Sequence, residues 1–281
     1  MQIVTKVTEM QRVCRKLRAN GLVLGFVPTM GALHEGHVSL VRRACEECGV
    51  VAASIFVNPL QFAPGEDFAQ YPRTFEQDCR MLEAEGVDVL FAPDAAEMYP
   101  KGAVTTVSVP GVGDRLDGAS RPGHFTGVST VVAKLFHVVG PQRAYFGQKD
   151  AAQLAVLRQM VRDLNVDIEL VGCAIVRDTD GLALSSRNKY LAAVERDRAL
   201  VLHRALLQIE RMIIAAGERQ TAKLVLEGME ILNATDGVRV DYLAIVDANT
   251  LLPVNSVETG TLVAVAAYVG ATRLIDNFLV A

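Results

Sequence analysis

A chain of 281 residues, 51% hydrophobic and 21% charged, can bury a sizeable core as one large domain or two modest ones. Its net charge of −4 excludes a chain-wide basic footprint for nucleic acid. The longest clean apolar run, Leu262 to Ala271, falls far short of the roughly 20 residues that span a bilayer.

The first twenty residues contain no unbroken apolar stretch of the kind a secretory signal needs. Met10, Val13, Cys14 and Leu17 recur at helical spacing and predict an amphipathic surface helix. The Arg and Lys content there hints at a transit peptide, but Glu9 and the lack of serine argue against one, so the expected location is cytoplasmic. Beyond it, short apolar runs alternate with amphipathic segments. Strands are predicted at Leu22–Val27, Val50–Val57, Asp88–Phe91, Arg143–Phe146 and Asp167–Val176. Helices are predicted at Gly36–Cys48, Thr74–Glu85, Thr126–Val138 and Ala151–Leu164. Such alternation implies a parallel sheet covered by helices. After Arg187 two helices follow, Val194–Ala216 and Thr221–Asn233, and then three strands, Val238–Val246, Leu262–Val269 and Arg273–Val280. The expected fold is therefore α/β: a Rossmann-like parallel-sheet domain over residues 1–180 and a smaller α+β domain over 181–281. The boundary is expected near the Asp178–Gly181 turn or the Ser185–Asn188 loop.

Five scattered cysteines, an odd number, argue against a disulfide framework. Cys45 and Cys48 form a C-x-x-C, a pattern of redox chemistry or of half a zinc site; no second pair completes a zinc site, and the two read as small apolar residues on one helix face.

Four segments carry chemistry. The first is PTMGALHEGH, Pro28 to His37, at a strand-to-helix junction. Gly31 and Gly36 let backbone approach a ligand, and a helix N-terminus with unpaired N–H groups favours phosphate. His34 and His37, three apart, can face the same way and donate hydrogen bonds to phosphate oxygens. Two histidines could also hold a metal, but no third ligand is evident nearby. The second is Gly147-Gln148-Lys149-Asp150, again at a strand end; Lys149 is a compact cation suited to a triphosphate, and Asp150 could cap the next helix or help bind a nucleotide and its metal. The third is Leu184-Ser185-Ser186-Arg187-Asn188, with two hydroxyls and a guanidinium for phosphates. The fourth pairs Asn58-Pro59-Leu60-Gln61-Phe62 with Gln153. Glutamine amides can read hydroxyls and a carboxylate without adding charge, though either alone could be a surface residue.

Taken together, PTMGALHEGH, SIFVNPLQF, YPRTFEQDC, ASRPGHFTGVSTVVAKLF, YFGQKDAAQL, DGLALSSRN and RLIDN resemble the pantothenate synthetase family, in family order from Pro28 to Asn277. The resemblance implies a Rossmann-like domain, a smaller C-terminal lid, a homodimer, and ligation of pantoate to β-alanine with ATP and Mg²⁺ through a pantoyl adenylate. It implies an ATP site formed by Met30, Gly31, Ala32, Leu33, His34, Glu35, Gly36 and His37, by Gly147, Gln148, Lys149 and Asp150, and by Val176, Leu184, Ser185, Ser186 and Arg187. His37 would be the catalytic donor, with His34, Lys149 and Arg187 beside it. His34 and Asn58 would support the phosphates and the reacting centre, and Gln61 and Gln153 would hold pantoate, with Asn58 and Met30 also among the substrate-binding residues and Gln61 also near β-alanine. Gln148 stands where Glu is also common in the family, and Leu184 where Met is frequent. A nucleotidyltransferase making a dinucleotide would use the same phosphate machinery. A nucleotide sensor would keep the glycines and Lys149 but have little use for both histidines and both glutamines. A tRNA synthetase would need an RNA-binding domain that is not evident.

Overall fold

The computed structural model describes all 281 residues. Nine strands and nine α-helices occur in the order β1 Gln2–Val4, α1 Val7–Ala19, β2 Leu24–Thr29, α2 Glu35–Glu47, β3 Val50–Ile55, α3 Phe75–Ala84, β4 Val89–Phe91, α4 Ala95–Met98, α5 Asp117–Ser120, α6 His124–Val139, β5 Arg143–Gly147, α7 Ala151–Asp163, β6 Glu169–Cys173, α8 Ala193–Ile214, α9 Thr221–Asn233, β7 Val238–Asp247, β8 Thr261–Val269 and β9 Thr272–Leu279. Strands β1 to β6 form one all-parallel sheet in the order β1-β4-β3-β2-β5-β6.

Side chains alternate across a strand, and both faces of this sheet are covered, so its strands are apolar almost throughout. Leu24 and Phe26 face one core with Ala52, Phe91, Ala144 and Phe146 against α1, α6 and α7, while Val27, Val51, Ala53 and Leu90 face α2 on the other side. Several strand ends differ from the sequence reading, β3 stopping at Ile55 rather than Val57 among them. The second strand starts two residues late because Gly21, at φ +76°, ends the first helix in a turn that leaves Leu22 and Val23 exposed. It then runs on through Pro28, paired in register with Ser54 near the strand's carboxyl end. Strand β6 is shorter than Asp167–Val176; as an edge strand it pairs only with β5.

The second sheet is antiparallel, β7-β8-β9. Helices α8 and α9 pack on it through Leu202, Leu206, Ile209 and Leu224, which meet Val263, Val265, Ala267 and Val269. The opposite faces of the same strands, Leu262 and Ala264 of β8 and Val246 of β7, join the core of the parallel sheet. The Asp178–Gly181 turn between the two sheets is stapled rather than loose. Arg196 donates to Asp178 and Asp180 at 2.8 Å each, and Arg177 is forked onto Asp276 at 2.6 and 2.8 Å.

Candidate active site

In an open parallel sheet, ligands bind outside the carboxyl ends of the strands where the winding changes direction. Here that point lies between β2 and β5: β2 leads to β3 on one side, while β5 lies on its other side and leads to β6. Strand β2 runs into Met30 and Gly31, and its neighbour β5 into Gln148 and Lys149, so the first two sequence segments leave the same edge of the sheet side by side.

The Met30–Leu33 loop is held from beneath. Asp78 of α3, only 1% exposed, accepts the N–H groups of Ala32 and Leu33 at 2.9 Å each, and Gly31 N–H is taken by Thr29 Oγ1 at 3.1 Å. Gly31 has φ +81°, and an added Cβ would sit 3.0 Å from Asp78 Oδ2. Ala32 adopts φ +51°, a conformation uncommon for residues with a Cβ, and its carbonyl accepts from Ser186 Oγ at 3.1 Å. Helix α2 then begins with His34 as its N-cap. His34 Nδ1 accepts Gly36 N–H at 3.1 Å, and His37 Nδ1 accepts His34 N–H at 3.3 Å. The helix end is thus partly closed by its own residues: Gly36 N–H goes to His34 Nδ1 and His37 N–H to the His34 carbonyl at 2.8 Å, while Glu35 N–H keeps the open character expected of a helix N-terminus. A neutral imidazole that accepts at Nδ1 carries its proton on Nε2, so the helix end also offers two Nε2–H donors. The rings lie tilted at 44° to one another, with centroids 4.1 Å apart. Burial lowers His34 to about 4, helped by the charge of Lys149, and lowers His37 to about 3, helped by His34. Both are therefore neutral donors near pH 7. The Glu35 carboxylate turns outward to pair with Arg42 on the exposed helix face, leaving only its backbone at the loop.

On the other side of the loop, Gln61 Nε2 lies 2.9 Å from Met30 Sδ and its Oε1 accepts from Asn58 Nδ2 at 3.2 Å. Asn58 is 1% exposed and fully engaged. It also donates to the Gly127 carbonyl at 3.0 Å, and its Oδ1 accepts from Tyr99 Oη at 2.7 Å and Leu60 N–H at 3.3 Å. Asn58 thereby orients Gln61. The N-terminus of α6 completes the cradle. His124 Nδ1 lies 2.8 Å from the Gln61 carbonyl, Arg121 NH2 donates to the same oxygen at 3.3 Å, and Arg121 is forked onto Glu66. Gly127 allows the close approach, since a Cβ there would meet the Leu60 carbonyl oxygen at 2.1 Å.

A cleft of about 720 Å³ runs between the two sheets, lined by Lys149, Asp150, Gln153, Ser185 and Arg187 among others. Its size lies in the range of small-molecule sites. The Gln153 side chain is partly exposed to this cleft. Lys149 Nζ has one long contact, 3.5 Å to Asp150, whose carboxylate leaves helix α7 without a side-chain cap. Ser185 caps the turn that carries Arg187, and Ser186 is committed to Ala32. Arg187, read from the sequence as a phosphate ligand, is paired with Asp67 through two bonds of 3.0 Å. The Val176 carbonyl receives Leu184 N–H at 3.0 Å. Asp67, Asp78, Tyr99, Arg121 and His124 are the participants that sequence reasoning did not single out. Asp78, Arg121 and His124 stand inside the recognisable segments YPRTFEQDC and ASRPGHFTG. The two free thiols of the C-x-x-C have separate partners: Cys45 Sγ lies 3.4 Å from the Glu85 carbonyl, and Cys48, just beyond the helix, 3.2 Å from Tyr145 Oη.

A parallel sheet covered on both faces, with two neutral imidazoles and a lysine at its switch point, has the form of an α/β enzyme. The profile of the pantoate-beta-alanine ligase family matches residues 2–279, and the chain belongs to that family. It is 56% identical over 279 residues to the pantothenate synthetase of Koribacter versatilis, covering 99% of this chain and 96% of that one. It superposes on the crystal structure of pantothenate synthetase from Thermus thermophilus with a TM-score of 0.92, at 49% identity and 99% coverage of both chains. A pantoate-beta-alanine ligase from Francisella tularensis, complexed with beta-gamma ATP and β-alanine, matches with a TM-score of 0.81 at 34% identity, covering 99% of this chain and 97% of that one.

Proposed function

We propose that the chain condenses pantoate with β-alanine in two steps, at the expense of ATP, giving pantothenate, AMP and pyrophosphate. The observation that supports this reading is the pair of Nε2–H donors at the start of α2, close enough to Lys149 to feel its charge, with Gln153 lining the adjoining cleft and Gln61 set against Met30. A carboxylate is a poor electrophile and must first acquire a leaving group. In the first step a pantoate carboxylate oxygen bonds to the α-phosphorus of ATP, and the bond to the bridging oxygen of pyrophosphate breaks. In the second, the β-alanine amine attacks the pantoyl carbonyl, the bond to AMP breaks, and the amine loses a proton.

Charge grows on phosphate oxygens in the first step, where preorganised donors act most strongly. His37 and His34 supply Nε2–H without a change of protonation, and Lys149 supplies a cation. Arg187 joins them by exchanging Asp67 for the triphosphate. Backbone of Met30–His37, Gly147–Asp150, Val176 and Leu184–Arg187 surrounds the nucleotide. Gln61 and Gln153, with Met30, hold pantoate, and Gln61 borders the amine. Mg²⁺ belongs to this reading as well. The half-exposed Asp150 is an open carboxylate, which suits an ion that takes one or two carboxylates and otherwise uses phosphate oxygens and water. When bound, the ion neutralises charge on those oxygens.

The adenylate hydrolyses readily, so water must be kept out. Residues 181–281, carrying Leu184–Arg187 across the cleft from residues 1–180, serve as the lid. A homodimer and a cytoplasmic location complete the reading and rest on the family likeness; no helix is long and apolar enough to cross a membrane. Phosphorus NMR of a reaction with ATP, pantoate and β-alanine tests it, with proton NMR of the same sample to follow pantothenate: AMP and pyrophosphate should accumulate in step with pantothenate. ADP and inorganic phosphate would contradict it.

A further inference from the structure

Asn277 lies on β9, in the antiparallel sheet, and is 2% exposed. Its Nδ2 donates to the Gln148 carbonyl at 3.0 Å and the Lys149 carbonyl at 2.9 Å, and its Oδ1 accepts from Gln148 Nε2 at 3.3 Å. The whole amide is thus spent on the turn that bears Lys149. The preceding residue, Asp276, is 3% exposed, is forked onto Arg177 and accepts Asn277 N–H at 2.8 Å. Lys149 differs from the other cations of the cleft. Arg121, Arg187 and Arg273 are each fixed by short bonds to carboxylates, whereas Lys149 has only its 3.5 Å contact with Asp150. Its aim is set chiefly by the main chain from which it projects.

We propose that Asn277 is a positioning residue for Lys149: by clamping the Gln148 and Lys149 carbonyls it couples the seating of the C-terminal sheet to the aim of the lysine at the triphosphate. The proposal rests on the reading of Lys149 as a phosphate ligand. Asn277→Asp keeps the shape but turns an oxygen toward the two carbonyls, and displacements of about 1 Å at a reacting centre cost on the order of 10²-fold in rate.

A double-mutant cycle on AMP formation with pantoate and β-alanine tests it, with thermal melting as a check on folding. Asn277→Asp should lower kcat by about 10- to 100-fold in the native background. In a Lys149→Ala background the same change should cost less than about twofold, since residues acting through one another are not additive. Asn277→Ser, which retains one donor, should fall between native protein and Asn277→Asp, and it runs the same cycle if the aspartate variant does not fold. Equal losses in both backgrounds, or losses that only follow the folded fraction, would overturn the proposal. A Lys149→Ala variant with near-native turnover would overturn the reading of Lys149 itself, visibly in the single variant, and the proposal with it.

Discussion

Each of the two site histidines spends one nitrogen on the backbone of its own helix and keeps the other for the crevice. The consequence is measurable in stability. Their pKa values are depressed to about 4 and about 3, against roughly 6.5 when unfolded. Between those limits the unfolded chain binds more protons than the folded one. The stabilisation they contribute is therefore complete above pH 6.5 and is lost as pH falls through that window. Urea midpoints measured at pH 7 and pH 4.5 should fall more for the native protein than for a His34→Asn/His37→Gln variant. An identical fall in both would show that the imidazoles are not held neutral. Lys149→Ala should cut turnover by about 10²- to 10³-fold without loss of fold, as expected for a partner of developing charge. Gln153→Ala and Gln61→Ala should weaken pantoate use by about 1–3 kcal/mol each, the cost of leaving a polar group unpaired. ATP titration of the same variants should be nearly unchanged, and the reverse pattern would reassign them.

At the scale of elements, periodicity located most of the chain. The helix Thr221–Asn233 has its predicted bounds, and α3 lies inside Thr74–Glu85 with those two residues as its caps. What periodicity could not show were elements too short to carry a period: β1, three residues beside β4, and the single turns α4 and α5. Nor could it show that Gly127 is required by contact rather than conformation, because the Leu60 carbonyl that abuts it comes from a distant turn. Gly127→Ala should push the Asn58–Gln61 turn away from α6, raising the pantoate KM and lowering the melting temperature together. A variant with native values of both would show that the two segments do not pack as described.

Across the whole molecule, the two sheets are joined by more than a hinge. Arg273 of β9 is paired with Asp117 of α5 at 2.6 Å, Tyr242 Oη donates to the same carboxylate at 3.2 Å, and Leu262 and Ala264 share the core of the parallel sheet. The site follows the same pattern. Its donors were legible because they cluster in glycine-rich strand ends, whereas their partners were not. Asp78 meets Ala32 and Leu33 across about forty-five residues, and Asp67 meets Arg187 across 120. No local pattern encodes such pairings; the topology of the sheet brings them together. The central claim is that activation of the carboxylate is a self-contained first step, finished before the amine is needed. Exchange of labelled pyrophosphate into ATP measures that step directly. With pantoate present and β-alanine absent, the protein should catalyse exchange, and AMP and pantothenate should appear only once β-alanine is added. A folded preparation that binds ATP yet shows no pantoate-dependent exchange would contradict the account.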